Sequence, residues 1–278
     1  MPELPELEVV RDVLQLRVVG HLIASAALIP PGGPIVARDL TNDGFESGLS
    51  GARIRAVQRR GKFLVLNLTR AGASFFLAIN PKLTGRLQLC ASTEKRMART
   101  HLVLDLDDSR QLRYIDQKHM GQLYLTPDLE RVPEYSGMGP EALEITLPEF
   151  RQRLRTFRGE IKGILTRGAF VAGIGNAYAD EVLWVARLHP YRKRTQLTAS
   201  EVDALFDAMR TTLVDAVEKV RSEMQEQIHL KPRDFLAVHM KTGEPCPRCG
   251  SPISLVGANQ RITNFCRTCQ PGGLIKGM

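Results

Sequence analysis

The sequence predicts an α+β fold: an N-terminal helix plus antiparallel β-sandwich, a helical second half, and a four-cysteine hairpin at the C-terminal end. Three observations carry this. Short apolar runs punctuated by turn residues fill the first half after its opening helix. Helical spacing with capping residues fills 146–220. Cys246, Cys249, Cys266 and Cys269 stand as two C-x2-C pairs sixteen residues apart.

The opening MPELPELE suits a helix start. Proline fits a first turn, where its missing N–H is not needed. Glutamates there complement the positive end of the helix dipole. Val9, Val10, Val13, Leu14 and Leu16 or Arg17 then fall near helical spacing. ARIRAVQRR and FLVLNLT flank Gly61 and Lys62, the signature of a tight hairpin. SFFLAIN and GRLQLC are separated by PKLT, HLVLDL and QLRYI by DDSR, and GQLYL closes the set. The stretch 126–140 is rich in proline, glycine and charge. In the second half, Thr146-Leu-Pro-Glu149 reads as a capping box, leading a helix to about 157. A short helix is expected at 161–166, and a longer one at 176–188, stopped before Pro190. Thr198 or Ser200 caps a long helix to about 220; residues 221–240 read as neither helix nor strand. The domains expected are 1–126, a linker at 127–145, 146–238 and 239–278.

Composition narrows the class. Hydrophobic residues make up 43% of 278, ample for a core. No apolar run reaches the roughly 18 residues a membrane helix needs. The acidic N-terminus has no apolar leader core. A cytoplasmic setting is expected, and five cysteines there favour metal ligation or buried thiols over disulfides. Net charge is +8. Residues 1–150 hold 18 basic and 18 acidic side chains, whereas 151–278 hold 20 against 12. A basic half beside a neutral half suggests a polyanion-binding surface. A solvated basic face is the plainer alternative.

The two C-x2-C pairs fit a four-thiolate zinc site. Four thiolates leave no open coordination position, so one structural Zn²⁺ is expected, holding a hairpin too small to fold alone. Arg261 at the hairpin tip is a candidate phosphate contact, or simply a solvated turn arginine. Cys90 ends an apolar strand and reads as a core thiol.

PELPE at the start, GIGNAYADE on a helix and TGEPC before the cysteine hairpin occur together in that order. In these features the chain resembles the formamidopyrimidine-DNA glycosylase and endonuclease VIII family of base-excision repair enzymes. The resemblance implies a β-sandwich domain, a helix–two-turn–helix domain and a zinc finger, with damaged or abasic-site duplex DNA bound in a basic cleft. It implies a monomer that works at the nucleoid. It also implies that Met1 is removed and that Pro2 attacks C1′ of the damaged nucleotide as a secondary amine. Glu3 would do acid–base work on the sugar, and Glu6 would position the terminus. Lys62, Asn176 and Arg261 would hold phosphates around an everted nucleotide.

The resemblance is incomplete. The family's His-Leu-Gly-Met-Ser-Gly-like segment is replaced by Asn80-Pro-Lys-Leu-Thr-Gly85, and its Asp-Pro-Arg-Arg-Phe-Gly by Asp116-Gln-Lys-His-Met-Gly121. Leu83, His119 and Met120 are therefore the candidates to fill the hole left by the flipped base, with core packing the alternative for Met120. The arginine that reads the opposite cytosine has no clear equal. VRSEMQEQIHLKPRD stands where the family carries a glycine- and serine-rich lesion loop. Three functions follow for comparison. The first is a bifunctional glycosylase and abasic-site lyase, acting on oxidised or ring-opened bases. The second is a DNA-binding protein on the same scaffold with lost or altered activity. The third is an RNA-associated zinc ribbon, which leaves PELPE unexplained; 6% aromatic content offers few stacking platforms.

Overall fold

A computed structural model describes residues 1–258 and 261–272; the side chains of Ala258 and Arg261 lie outside the described set. The chain divides into two units, Met1–Gly137 with Lys219–Pro232, and Met138–Glu218 with Arg233–Met278.

The first unit opens with α1 (Leu4–Val18), whose buried face is Leu4, Leu7, Val10, Leu14 and Val18, close to the 3.6 period. Leu16 points to solvent, 79% exposed. Then come β1 (Ile23–Leu28), α2 (Gly32–Val36), β2 (Ala37–Asp39), α3 (Phe45–Leu49), β3 (Arg53–Arg60), β4 (Phe63–Arg70), β5 (Ala73–Asn80), β6 (Gly85–Ala91), β7 (Thr100–Leu106), β8 (Arg110–Asp116) and β9 (Gln122–Thr126). One sheet runs β1-β7-β8-β6 and the other β2-β9-β5-β4-β3. The expected hairpins form: Arg60 pairs with Phe63 across Gly61, and Asp105 with Gln111. Gly61 supplies the positive φ that this turn requires.

Two corrections apply. The sheets are not wholly antiparallel, because β2 joins β9 in parallel, Ala37 opposite Leu123. The strands β1 and β2 carry too little alternation (IASAAL and ARD) to be read from sequence. Residues 63–66 of β4 are buried without a break, although a half-solvated strand should alternate. The reason is that α1 packs against β3 and β4 and covers the face that would otherwise meet water. Gln15 Oε1 accepts from Val57 N at 2.7 Å and fixes the helix along that strand.

Residues 127–145 are packed along much of their length. Val132, Ala142 and Ile145 are buried, and Tyr135 meets Phe63 edge-on with ring centroids 5.5 Å apart. The second unit holds α4 (Leu147–Thr156), α5 (Ile161–Leu165), α6 (Asn176–Val185) and most of α7 (Ala199–Met224). Thr146 caps α4 by accepting from Glu149 N at 3.4 Å. α6 ends at Val185, three residues short of the expected 188, because Arg187 adopts a left-handed φ of 57°. α7 runs four residues beyond 220, and its last turn from Lys219 belongs to the first unit. The hairpin strands β10 (Ser254–Ala258) and β11 (Arg261–Phe265) pair with Val256 opposite Thr263.

Two loops of the first unit meet at one carboxylate. Asp116 is fully buried. It accepts from Gly121 N at 2.7 Å, from Lys118 N at 3.1 Å, from the Tyr114 hydroxyl at 3.4 Å and from Thr84 Oγ1. The loop 80–85 and the loop 116–121 are therefore tied together. Glycine ends both for one reason. A Cβ at Gly85 would lie 2.1 Å from the Tyr114 hydroxyl oxygen, and one at Gly121 would lie 1.6 Å from it. Asp116→Asn keeps a single acceptor oxygen where one carboxylate serves several donors. A loss of about 2–4 kcal/mol is expected. The urea midpoint measures it, and an unchanged midpoint would show that the carboxylate is dispensable.

Candidate nucleic-acid interface and zinc centre

In the first unit, the candidate catalytic groups sit where α1 begins. Pro2, Glu3 and Glu6 are all buried. Glu3 is the N-cap, and its N–H donates to Glu6 Oε2 at 2.9 Å. The Glu3 carboxylate accepts in return from the Glu6 N–H, which completes a capping box made of two glutamates. The two carboxylates are thereby fixed against the first turn, and Pro2 immediately precedes it. Pro2 and Glu6 line a narrow cleft together with Leu64 and Tyr114. Burial pushes the Tyr114 hydroxyl far above its ordinary pKa, with the adjacent Asp116 adding to the shift. Lys62 is half-buried in the β3–β4 turn.

Leu83 and Met120 stand at the tips of the two loops tied by Asp116, 42% and 47% exposed. Met120 is therefore not a core residue. His119 behaves differently from both. Its φ is +53°, and its ring packs edge-on against buried His101 with centroids 4.6 Å apart. His101 Nε2 in turn lies 2.8 Å from Asp116 O. His119 supports the loop that displays Met120.

In the second unit, Asn176 opens α6 at its first helical position, with Gly175 as N-cap, so it is not the capping residue. Its Nδ2 donates to Ile262 O on β11 at 2.6 Å. Its Oδ1 is buried and meets no hydrogen-bond partner among the described residues. Lys162 is buried and reaches the same strand, donating to Ile262 O at 3.0 Å and Thr263 Oγ1 at 2.9 Å. Its cation is balanced by Asp180 Oδ1 at 2.6 Å, and Asp180 Oδ2 meets His239 Nδ1 at 2.8 Å and Asn264 N at 3.2 Å. The next residue, Glu181, accepts from Ala237, Val238 and His239 N–H groups at 2.8–2.9 Å. Burial pushes the Glu181 carboxyl upward against the pull of these three donors. The α5–α6 pair thus holds both strand β11 and the approach to the cysteine hairpin. Arg261 begins β11 beside Ile262, and its side chain lies outside the described set.

The four cysteine sulfurs lie within 4.8 Å of one another. A tetrahedral zinc–thiolate site with bonds of about 2.3 Å needs sulfurs about 3.8 Å apart. Cys246 and Cys269 are 3.8 Å apart, and Cys249 and Cys266 3.4 Å. The donor set fits one Zn²⁺ with no position left for substrate. Trp184 Nε1 donates to Cys246 Sγ at 3.4 Å, and Arg248 stacks on the Trp184 ring at 4.2 Å. Hydrogen bonds from the Ser251 side chain and backbone pull Cys249 down to about 6. Burial, followed by the neighbouring thiols, pushes Cys269 up to about 12. Cys90 is buried, as expected of a core thiol.

A β-sandwich, a helix pair carrying Gly-Ile-Gly-Asn and a four-cysteine hairpin define a DNA-repair class of fold. Three family models match in order: the formamidopyrimidine-DNA glycosylase N-terminal domain over 1–123, its H2TH (helix–two-turn–helix) domain over 137–227, and the zinc finger found in FPG and IleRS over 243–272. Formamidopyrimidine-DNA glycosylase of Symbiobacterium thermophilum is 39% identical, covering 98% of this chain and 90% of that one. The Herpetosiphon aurantiacus enzyme of the same name is 34% identical, over 97% and 100%. Lactococcus lactis Fpg, solved with DNA containing an abasic site, superposes with a TM-score of 0.83 at 32% identity, covering 97% and 100%. MutM in complex with DNA containing carbocyclic 8-oxo-G gives 0.84 at 32% identity, covering 98% and 100%. The chain belongs to the formamidopyrimidine-DNA glycosylase family.

Among the site groups, Lys162, Asp180 and Glu181 were not singled out from sequence. The available signal was a lysine and two adjacent acids at positions that the helical pattern places inside. Two outcomes follow. Lys162→Met leaves Asp180 buried without its cation and is expected to destabilise by about 3–5 kcal/mol, read from urea unfolding. Zinc competes with protons for the thiolates, and Cys269 holds its proton tightly. Affinity should therefore fall at least about 100-fold from pH 8 to pH 6, the minimum for one displaced proton. Chelator competition at the two pH values measures it.

Proposed function

We propose that this chain removes damaged bases from duplex DNA and then cleaves the strand at the abasic site, with Pro2 as nucleophile once Met1 is removed. The observation that carries the reading is the placement of Pro2 directly before a first turn locked by two buried carboxylates. The abasic-site and 8-oxo-G DNA in the related structures supports the substrate class. While Met1 is attached, the Pro2 nitrogen is an amide and cannot attack. Its removal leaves an α-amine, a class whose reference pKa of about 7.7–8.0 lies well below the 10.4 of lysine. A secondary amine is intrinsically more basic than a primary one, so part of the neutral fraction at physiological pH must come from the site.

In the proposed sequence, the Pro2 nitrogen pair forms a bond to C1′ and the bond from C1′ to the base breaks. The base leaves with that electron pair and takes up a proton. The nitrogen gives its proton to the Glu3 carboxylate, the C1′–O4′ bond opens, O4′ takes that proton from Glu3, and the nitrogen becomes an iminium. The iminium has no N–H to lose, so it stays charged and acidifies C2′–H. Loss of that proton breaks the C3′–O bond and releases the 3′ phosphate end. A second elimination can release the 5′ side, and water returns the amine. Glu6 positions the turn. Lys62, Asn176 and Arg261 bind phosphates, Asn176 beside the N–H groups at the start of α6. Leu83 and Met120 fill the gap left by the everted nucleotide, and His119 supports the loop that displays Met120. Cys246, Cys249, Cys266 and Cys269 would hold one structural Zn²⁺, which would close the hairpin whose second strand Arg261 begins.

Borohydride reduction on a duplex with one abasic site tests the nucleophile. Protein whose intact mass shows Met1 absent should yield a covalent adduct. Protein extended by Gly-Ser before Pro2 should bind the duplex and yield none. An adduct of equal yield in the extended protein would move the nucleophile elsewhere. Replacing Asn176 or Arg261 by alanine should weaken duplex binding, and only the loss of the Arg261 cation should also reduce the salt slope of log K, by about 1.

A further inference from the structure

The second unit holds a recess between α4, the stretch 194–197 and the first turn of α7, with a volume of about 240 Å³. A cavity of about 150 Å³ is enough for benzene, so a whole apolar side chain fits here. Its apolar lining is Leu154, 2% exposed, with half-buried Leu197 and Val202. Arg151, Arg155 and Arg194 complete the lining, and no carboxylate belongs to it. The three cations are not equivalent. Arg151 donates twice to Asp203, from Nε at 2.7 Å and from Nη2 at 2.6 Å, so its charge is met. Arg194 donates from Nε to Phe157 O and from Nη2 to Arg155 O, both at 3.2 Å. Two carbonyls hold that guanidinium in place without neutralising it. The Arg155 side chain has no hydrogen bond or ion pair among the described residues.

We infer that this recess docks an acidic segment of a partner protein. One bulky apolar side chain enters between Leu154, Leu197 and Val202, and a flanking carboxylate pairs with Arg194 and Arg155. An arginine fork matches a carboxylate in geometry as well as in charge, and arginine clusters recognise acidic motifs in this way. Arg194 is already held, so little side-chain entropy is lost when it binds. A DNA duplex backbone brings phosphates but no apolar group to fill the recess. Unpaired bases bind by stacking on aromatic faces, and no aromatic side chain lines it. None of the lining residues is among the candidate catalytic, phosphate-binding or gap-filling groups, so the inference is independent of the chemistry proposed for Pro2.

The test uses the full zinc-loaded chain and a fluorescein-labelled peptide, Asp-Asp-Glu-Phe-Asp-Glu, followed by anisotropy. A Kd on the order of 100 μM or tighter is expected. Alanine in place of the peptide's phenylalanine should weaken binding at least about tenfold, because the apolar anchor is lost. Arg155→Glu should also weaken it at least about tenfold, since like charges then face each other. Arg155 has no internal partner to lose, so the change spares the fold. Arg210→Glu is the control for charge alone. Arg210 is exposed and lies eight residues beyond Val202 on α7, roughly 12 Å by helix rise and past a Debye length of about 10 Å. Binding should there stay within about twofold of wild type. Equal losses in the two variants, or equal binding of the alanine peptide, show diffuse attraction and overturn the docking site. So does the absence of binding at about 1 mM peptide. A duplex that displaces the peptide, and that itself binds more weakly to Arg155→Glu but not to Arg210→Glu, would assign the recess to nucleic acid and overturn the inference as well.

Discussion

The second unit depends on the adjacent acids Asp180 and Glu181. Both project from α6 into places where water does not reach, and an unpaired carboxylate there would be expensive. Each is instead partnered. Asp180 takes the Lys162 cation, the His239 ring and the Asn264 N–H; Glu181 takes three consecutive backbone N–H groups from 237–239. The hairpin between the cysteine pairs is too short to bury a core of its own. The described core around the cysteines is Val238, Ile253, Cys246 and Cys266, with Trp184 and Ala237 packed against it. A Zn²⁺ held by the four sulfurs would close the hairpin on itself, and the two acids fasten it to α6. Neither device replaces the other: the metal would fix the sulfurs, while the carboxylates fix where strand β11 runs.

That arrangement explains why some of the site was legible in the sequence and some was not. Cysteine spacing speaks directly, because two C-x2-C turns have few other uses. The turns at 61–62 and 107–110 were legible because glycine and aspartate at turns have local causes. The partners of Asp180, Glu181 and Asp116 were not. Their ligands lie 18 to 84 residues away in the case of Asp180, and no local pattern names a long-range acceptor. The strands β1 and β2 escaped for another reason: IASAAL lacks strict alternation, and ARD is only three residues long. The end of α6 was misplaced because Pro190 looked like the stop, whereas the chain turns earlier, at Arg187.

Charge follows the same division. All of the formal +8 comes from residues 151–278. Within that half Lys162 pairs with Asp180, and Arg151 and Arg192 with Asp203 and Glu201, pairs that already cancel within the +8. Four thiolates with one Zn²⁺ add −2, so the zinc-loaded chain carries about +6. The surplus available to a polyanion is smaller than composition suggests. In the proposed function, recognition would rest more on fixed N–H groups and on the few placed cations than on bulk charge.

The first turn of α1 joins structure to the proposed chemistry most closely. Its glutamates read equally well as helix caps or as catalytic acids, and the geometry makes the two descriptions one. Glu6 can hold the Glu3 N–H only if the turn is formed, and the turn sets where Pro2 lies. A nucleophile must be held close to its reaction geometry, and a freely jointed terminus would lose that advantage. The N-terminal amine is the most mobile amine a chain owns unless something fixes it. With Met1 removed, as proposed, the helix cap would do so within four residues, and α1 is itself fastened to β3 and β4 by Gln15 and its apolar stripe. On that reading helix capping, rather than a dedicated binding loop, converts a chain end into an aimed group.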